Sequence, residues 1–312
     1  MRLRIVLYFI VTVFLVMGLW IIKDPVEYVK SGTAMDTVVS IRVRGWGMRE
    51  KVEGALERIA GVESRMSKTI ASSDVSRINN GGSYWGGSET LRVINRGIYF
   101  GGESGGVFDI SIGPLMDVYA SSNPSKEDIS EALALVDYSK LDPSKPIPKG
   151  MKVDLGGIAK GYAGDEAAFY LRQNGISDII ISLGGDVITS GSRTWKVGIQ
   201  NPFAESGEIM GTLDIINKSV ATSGAYERGA HIIDPRSGKV VDNGVASATV
   251  IASTGMDADA MATMLYILGS EGLPTVEKCG GKGIVIMNDG AVYMSQSVEL
   301  TISNKAFKKV EL

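Results

Sequence analysis

The chain has 312 residues, of which 44% are apolar and 21% are charged, so its composition is that of a globular protein with a sizeable core. Its formal net charge of −3 leaves no positive excess to neutralise a phosphate backbone, which argues against a nucleic-acid partner. The chain contains one cysteine, Cys279, and one histidine, His231. These counts exclude an intrachain disulfide framework, cysteine-ligated iron–sulfur clusters and multi-histidine metal sites.

Residues 1–30 are predicted to form a membrane anchor or signal segment followed by a short linker. Residues 5–22 are an apolar run that only Thr12 and Gly18 interrupt. A helix of this length covers ~27 Å, close to the ~30 Å hydrocarbon core of a bilayer. Arg2 and Arg4 precede the run, which predicts a cytoplasmic N-terminus and an exported body. No small-residue cleavage site follows, so we expect a single-pass anchor in the inner (cytoplasmic) membrane with a periplasmic body. The alternative is a cleaved signal peptide.

The body, residues 31–312, is predicted to fold as one domain. Apolar periodicity predicts strands over residues 33–44, 153–155 and 178–183 and a closing hairpin from 283–287 and 292–294. It predicts helices over residues 48–63, 88–101, 158–174 and 258–268, and Ser125 begins a further helix with a capping-box pattern. Because these elements do not alternate as regular βαβ units, the pattern favours an α+β fold over a doubly wound sheet.

The strongest local signal is a predicted strand that passes through a Gly-Gly turn into a helix, from Val153 to Tyr162. Gly156 and Gly157 leave backbone N–H groups accessible at the start of the helix, where an anion such as phosphate is favoured. Lys160 on the first turn supplies a positive charge. The spacing is not that of a Walker A loop, and the alternative is a tight structural turn with a surface lysine.

Two oxygen-bearing side chains, Asp259 and Thr263, are spaced i and i+4 in the last long predicted helix. This spacing places a carboxylate and a hydroxyl on one face of the helix. Hard oxygen donors of this kind suit Mg²⁺, which also recruits substrate phosphates. The alternative is an aspartate near a helix N-terminus and a threonine that faces the core.

The only imidazole of the chain, His231, is its only histidine candidate for a general base near neutral pH. Lys160 and the carboxylates are the other candidate bases, and a lone histidine is often only structural. Glycine-containing loops at residues 105–114, 182–186 and 222–224 are weak signals when each is taken alone, because ordinary turns have the same composition.

Taken together in sequence order, eight segments resemble the ApbE family of FAD:protein FMN transferases. The matching segments are residues 35–37, 66–67 with 74–79, 106–114, 153–162, 182–186, 222–224, 231–238 and 259–263. The resemblance implies a compact α+β domain of the T-fold type. It further implies that FAD is the bound substrate, that Mg²⁺ or a similar divalent cation is required, and that FMN is transferred to a threonine or serine hydroxyl of a target protein with release of AMP. Many members are exported and membrane-attached, and their targets are subunits of respiratory ion-pumping or electron-transfer complexes.

The resemblance also implies roles for particular residues. The implied metal ligands are Asp259, Thr263 and the backbone carbonyl of Gly157. The implied flavin contacts are Met35, Val107, Phe108, Asp109, Asp154, Lys160 and His231. His231 and Asp259 are the implied catalytic residues: His231, or a nearby carboxylate, takes the proton from the attacking hydroxyl, while the metal and Lys160 stabilise charge as AMP departs.

Two features depart from the family pattern. The apolar N-terminal segment stands in place of the lipid-modified cysteine that is common in the family. Lys68 follows Met66-Ser67 where many relatives have an aromatic residue.

Three alternatives to FMN transfer are a metal-dependent FAD pyrophosphatase, a flavin-binding protein without chemistry and a membrane-anchored structural domain. The presence of the Asp259–Thr263 pair together with His231 favours catalysis.

Overall fold

The computed structural model describes residues 27–81, 84–121, 124–205, 207–224 and 232–311. The predicted membrane segment lies outside these ranges. Within them, no helix has the length and apolar character needed to cross a membrane. The first strand begins at Glu27, so it overlaps the linker that the sequence predicted over residues 23–30.

The strands and helices follow one another without a repeating order. The strands are β1 (Glu27–Ala34), β2 (Thr37–Arg44), β3 (Ile179–Leu183), β4 (Asp186–Ser190), β5 (Trp195–Gln200), β6 (Ile209–Ile215), β7 (Ser219–Gly224), β8 (Ile233–Asp234), β9 (Lys239–Val240), β10 (Val245–Ala252), β11 (Lys282–Met287), β12 (Ala291–Met294), β13 (Leu300–Ile302) and β14 (Lys308–Lys309). The α-helices are α1 (Met48–Met66), α2 (Asp74–Asn79), α3 (Ser88–Ser104), α4 (Gly113–Tyr119), α5 (Lys126–Leu133), α6 (Ala159–Gln173), α7 (Gly255–Leu268) and α8 (Leu273–Lys278).

Nine strands of the described chain form one sheet in the order β1-β2-β3-β4-β7-β10-β11-β12-β14. Neighbouring strands are antiparallel except for β12 and β14, which are parallel. A smaller antiparallel sheet has the order β13-β6-β5, and β8 pairs with β9. A mainly antiparallel sheet combined with a separate set of helices confirms the α+β prediction.

The middle of the large sheet is buried on both faces, as consecutive buried residues in β10 and β11 show. Successive side chains of a strand point to opposite sides of the sheet. In β11, Val285 belongs to the core that the helices cover, whereas Ile284 and Ile286 belong to a second core. That second core also contains Val197 of β5 and Leu213 of β6. The fold therefore has three layers, with the helices on one side of the large sheet and the small sheet on the other.

Most of the predicted elements are confirmed. The helices predicted over residues 48–63, 88–101, 158–174 and 258–268 are α1, α3, α6 and α7, and β11 and β12 form the predicted hairpin. The capping box is also present at the start of α5. The Ser125 hydroxyl accepts from the Asp128 N–H at 3.0 Å, and the Asp128 carboxylate accepts from the Ser125 N–H at 3.1 Å.

The prediction of one continuous strand over residues 33–44 is wrong. The chain instead turns between β1 and β2, where Met35 and Asp36 have φ angles of 53° and 59°. A two-residue turn with positive φ at both positions matches the twist of paired strands and closes a tight hairpin. The register agrees, because Ala34 pairs with Thr37 across the turn.

The strand predicted over residues 153–155 is also wrong, although its backbone hydrogen bonds are satisfied. The side-chain amide of Asn79 accepts from the Val153 N–H at 2.7 Å and donates to the Val153 carbonyl at 2.9 Å. The Asp154 N–H donates to the carbonyl of Ile110 at 2.8 Å. One side chain and one loop carbonyl thus replace the strand partner that the sequence pattern leads one to expect.

Candidate active site

A cavity of about 250 Å³ lies where the start of α6 meets α7, β7 and the loop after α3. It is lined by Lys68, Val107, Phe108, Asp109, Ile112, Met116, Asp154, Gly156, Gly157, Lys160, Thr222, Ser223, Gly224, Ile232, Ile233, Pro235, Asp259, Thr263 and Ile267. Among the described residues, every predicted flavin or metal contact except Met35 lies on this lining. The structure therefore brings together segments that are more than 150 positions apart in the chain.

The polar wall of the cavity is built around Lys160, which lies between two carboxylates. Its Nζ donates to Oδ2 of Asp186 and to Oδ1 of Asp259, both at 3.0 Å. The side chain of Lys160 is 18% exposed, and those of Asp186 and Asp259 are 1% and 5% exposed. Two buried carboxylates therefore face one ammonium group, which leaves the cluster with an excess of negative charge.

This arrangement decides the protonation of Lys160. Burial alone would lower the pKa of its ammonium group, but the neighbouring Asp186 and Asp259 outweigh burial and raise the pKa above its ordinary value. Lys160 therefore remains protonated at neutral pH. It serves as a fixed positive charge and not as the general base that the sequence left open.

Asp259 and Thr263 share one face of α7, as their spacing predicted. Asp259 Oδ2 accepts from the backbone N–H of Gly161 on the first turn of α6 at 3.1 Å. The Thr263 hydroxyl lies 3.4 Å from the Asp259 carbonyl and 3.4 Å from the Ser223 hydroxyl. A Cβ placed on Gly157 would lie 3.4 Å from Thr263 Oγ1, so the glycine allows the turn backbone to lie against this threonine.

The chemistry of these donors fits a divalent cation. The Asp259 carboxylate, the Thr263 hydroxyl and the Gly157 carbonyl are hard oxygen groups of the kind that Mg²⁺ prefers. In the ranges that the structure describes, no group of three or more His, Cys, Asp or Glu side chains forms a metal cluster. A cation here would therefore need substrate phosphate oxygens and water to complete its shell, which is usual for Mg²⁺.

The loop after α3 supplies the apolar wall through Phe108. Its ring packs edge-on against Phe100 with 6.3 Å between the centroids. The neighbouring Asp109 accepts from the N–H and hydroxyl of Ser111 at 2.7 and 2.6 Å and from the Tyr138 N–H at 2.9 Å. Burial raises the pKa of Asp109, and these hydrogen bonds oppose the rise. In this structure, Asp109 holds the loop that positions the phenylalanine.

A second cavity of about 160 Å³ adjoins the first and contains Met35. The two cavities have Lys68, Asp154, Gly156 and Lys160 in common. At this boundary, Lys68 Nζ lies 2.7 Å from Asp154 Oδ2, and Asp154 Oδ1 accepts from the Gly156 N–H at 2.8 Å. The two cavities therefore adjoin at this ion pair, and Met35 lines the second cavity.

His231 lies outside the described residues, so its role as a flavin contact and general base stays a prediction. Ile232, Ile233 and Pro235, which follow it in the chain, line the first cavity. The described chain therefore resumes after residue 231 at the wall of the site.

The order and geometry of these segments agree with comparison to known proteins. The model of the ApbE family matches residues 35–285, which is most of the chain. The chain belongs to the ApbE family. The match begins at the β1–β2 turn and ends within β11, so it contains the whole lining of the candidate site.

Several ApbE proteins resemble the chain over much of its length. A protein named FAD:protein FMN transferase from Vibrio cholerae is 28% identical over 281 residues, which cover 80% of this chain and 84% of that protein. One from Klebsiella pneumoniae with the same name is 39% identical over 184 residues, 53% of this chain and 57% of that protein. The crystal structure of the ApbE protein from Thermotoga maritima matches 87% of this chain and 98% of its own, with a TM-score of 0.80 and 27% identity. These matches confirm the predicted ApbE-like α+β domain.

The sequence reasoning did not assign roles to three residues of this ApbE site. Asp186 completes the lysine-centred cluster, Lys68 pairs with Asp154, and Ser223 contacts Thr263. Asp186 and Ser223 lie in two of the weak glycine-containing segments. An aspartate beside a Gly-Gly turn is a signal that could have identified Asp186, because Asp154 likewise lies two residues before the Gly156-Gly157 turn.

Proposed function

We propose that this ApbE-family chain transfers FMN from FAD to a threonine or serine hydroxyl of a target flavoprotein, with release of AMP. The observation that carries the proposal is the cluster of Lys160, Asp186 and Asp259 at two adjoining cavities. The names of the relatives support it, since FAD:protein FMN transferases from Vibrio cholerae and Escherichia coli align over 80% and 77% of this chain.

The shape and lining of the site suit a dinucleotide substrate. The two adjoining cavities would receive the two ends of such a molecule, with its charged centre at their junction. The apolar side chains of Val107, Phe108 and Ile232 line one cavity and offer a surface for a flat ring system. Lys68 and Lys160 lie at the junction of the cavities, where they would face the negative charge of a pyrophosphate.

A divalent cation is part of the proposal. Asp259, Thr263 and the Gly157 carbonyl would hold Mg²⁺ or a similar ion, and the excess negative charge of the lysine-centred cluster favours a cation at this place. When bound, such an ion would stabilise the negative charge that develops on the pyrophosphate and on the departing AMP.

The transfer forms one bond and breaks another. The acceptor hydroxyl oxygen forms a bond to the phosphorus of the FMN portion, and the bond between that phosphorus and the bridging oxygen breaks to release AMP. The hydroxyl proton must leave, and Lys160 does not accept it because its raised pKa keeps it protonated. We propose His231 as the acceptor of that proton, with Asp259 as the second candidate.

The cellular setting that we propose rests on the sequence of the N-terminal segment. The apolar run over residues 5–22 would anchor the chain in the inner membrane, with the described domain on the periplasmic side. A target flavoprotein subunit of a respiratory ion-pumping or electron-transfer complex would then meet the enzyme at the membrane surface.

The test is an assay of the purified protein with FAD, Mg²⁺ and a threonine-containing acceptor domain from a respiratory flavoprotein subunit. We expect AMP release together with a gain in acceptor mass equal to FMN. Asp259→Asn should abolish both signals. Asp257→Asn is the matched control, because Asp257 lies on the same helix, pairs with Arg96 at 2.7 Å and does not line the cavity.

The other outcomes separate the alternative functions. AMP release without a gain in acceptor mass would favour FAD hydrolysis, in which water replaces the protein hydroxyl. FAD binding without AMP release would indicate a flavin-binding protein without chemistry. Equal activity of the Asp259→Asn and Asp257→Asn proteins would overturn the assignment of the cation site.

A further inference from the structure

The end of the large sheet where the chain enters the fold exposes a tryptophan. β1 begins at Glu27, which pairs with Arg44, the last residue of β2. Trp46 follows two residues later and is 61% exposed, whereas Trp85 and Trp195 are each 4% exposed. The exposed indole therefore lies close to the point where the predicted membrane segment joins the domain.

Three arginines surround this point although the body as a whole is acidic, with a formal charge of −5 over residues 31–312. Arg193 Nη1 lies 3.0 Å and Arg42 Nη1 lies 3.9 Å from the Glu27 carboxylate. Arg44 is exposed opposite Glu27 in the strand register. We call Arg42, Arg44, Trp46 and Arg193 the entry patch. The Glu27 carboxylate pairs with Arg42 and Arg193, and the Asp178 carboxylate accepts from the Arg193 N–H at 3.3 Å. Three arginines and two carboxylates give this part of the acidic body a formal charge of +1.

The distance from the predicted anchor to the patch is short. The apolar run ends at residue 22, five positions before Glu27, so the connecting chain spans at most ~17 Å even when fully extended. A domain of this size has a radius of gyration of ~19 Å, which is longer than that connection. The anchor would therefore hold the entry patch nearer to the bilayer than the opposite end of the sheet.

We propose that the entry patch rests on the membrane surface, with the Trp46 indole in the interfacial layer and the arginines against anionic headgroups. Tryptophan is enriched at membrane–water interfaces because its ring is amphipathic, and arginine near the surface is attracted to anionic lipid. The contact would fix the orientation of the domain in addition to tethering it. This inference rests on the anchor that was proposed above, and the experiment tests the anchor separately.

The experiment measures tryptophan fluorescence of the full-length chain reconstituted into vesicles of phosphatidylethanolamine and phosphatidylglycerol. Each protein is measured in two vesicle samples, one with and one without lipid that is brominated just below the headgroups. The bromine atoms quench the fluorescence of nearby indoles. The chain has four tryptophans, and Trp20 lies in the predicted anchor. A Trp20→Phe protein therefore reports Trp46, and a Trp20→Phe/Trp46→Phe protein gives the background from the buried Trp85 and Trp195.

The matched control places a tryptophan away from the entry patch. Arg193 of the patch lies just before the start of β5 in the small sheet, and the control position lies beyond the end of that strand. Phe203 is 53% exposed and lies three residues after Gln200, the last residue of β5. Trp195, at the start of β5, packs against Arg193 of the entry patch. In the protein that lacks Trp20 and Trp46, Phe203→Trp adds an exposed indole far from the entry patch. We expect bromolipid to cause a loss of Trp46 emission and no loss from the indole at position 203. Replacing phosphatidylglycerol with phosphatidylcholine should reduce the loss at Trp46.

Each result bears on the proposal. Quenching of Trp20 and Trp46 without quenching at position 203 supports it. Quenching of Trp20 alone would overturn the docking of the entry patch and leave the anchor intact. Equal quenching at positions 46 and 203 would mean that the domain has no fixed orientation, which also overturns it. If Trp20 is not quenched, the anchor and the docking proposal both fail, while FMN transfer in the assay above is unaffected.

Discussion

Removing the charge of Lys160 should destabilise the protein strongly. In the Lys160→Met protein, Asp186 and Asp259 remain at 1% and 5% exposure without their shared ammonium partner. Breaking a buried ion pair by removing one partner typically costs about 3–5 kcal/mol, because the other charge stays buried. For a domain of this size each kcal/mol corresponds to roughly 2–4 °C, so we expect the melting temperature to fall by at least ~6 °C.

The assay is thermal and denaturant unfolding of the wild-type and variant proteins without FAD or divalent cations. Lys152→Met is the matched control, since Lys152 Nζ lies 2.6 Å from Asp117 Oδ2 but both side chains are almost half exposed. An exposed pair of this kind contributes about 0–1 kcal/mol whatever its distance. The comparison therefore separates the effect of burial from the effect of a short contact.

The pH dependence provides a second check on the same reasoning. Without Lys160, repulsion and burial should raise the pKa of the carboxylate pair in the folded state above its unfolded value. A raised folded pKa means that the stability contribution is present at low pH and is lost as pH rises through that pKa. The deficit of Lys160→Met should therefore shrink as pH falls. A deficit below ~1 kcal/mol that does not change with pH would refute the argument.

Three further predictions concern other sites. Burial raises the pKa of Asp165 to about 6, although two backbone N–H groups at the start of α7 limit the rise. The unfolding free energy of the wild type relative to Asp165→Asn should therefore fall by about 2 kcal/mol between pH 4 and pH 7. A difference that stays constant with pH in denaturant unfolding would contradict the shift. Gly157→Ala should lower AMP release, because the new Cβ would lie 3.2 Å from Phe108 Cε2. In the control Gly102→Ala, the new Cβ has no atom within 4 Å, so this protein should keep its activity and gain about 0.5–1 kcal/mol of stability. Lys68→Ala should raise KM for FAD by roughly 10- to 100-fold through loss of a charge-assisted contact, and Lys68→Arg should restore most of the affinity. An unchanged KM in Lys68→Ala would show that Lys68 does not face the substrate.

The sequence predicted best those features that depend on neighbours within one element. The i, i+4 spacing of Asp259 and Thr263 placed both on one face of α7, and the pattern at Ser125 and Asp128 predicted the capping box that begins α5. Such features follow from the geometry of a single helix. They need no information about the rest of the fold.

The sequence failed where a distant group replaced the expected local partner. Residues 153–155 alternate like a strand, but the amide of Asn79 takes the hydrogen bonds of Val153 and no strand forms. The sequence reasoning also missed the ion pair of Lys160 with Asp186. These two residues belong to different elements and meet only when α6 packs on β4. A pattern along one segment contains no record of these long-range contacts.

The meeting of Lys160 with Asp259 depends on how closely α6 approaches α7. A Cβ on Gly161 would collide with the backbone carbonyl of Gly255, and a Cβ on Gly255 would lie 2.5 Å from the carbonyl of Gly161. Glycine at both positions therefore removes the side chains that would separate the two helix starts. Because Gly161 directly follows the lysine and its N–H binds the Asp259 carboxylate, this close packing also sets the distance between the two charged groups. The absence of side chains at Gly161 and Gly255 therefore allows the charged centre to assemble.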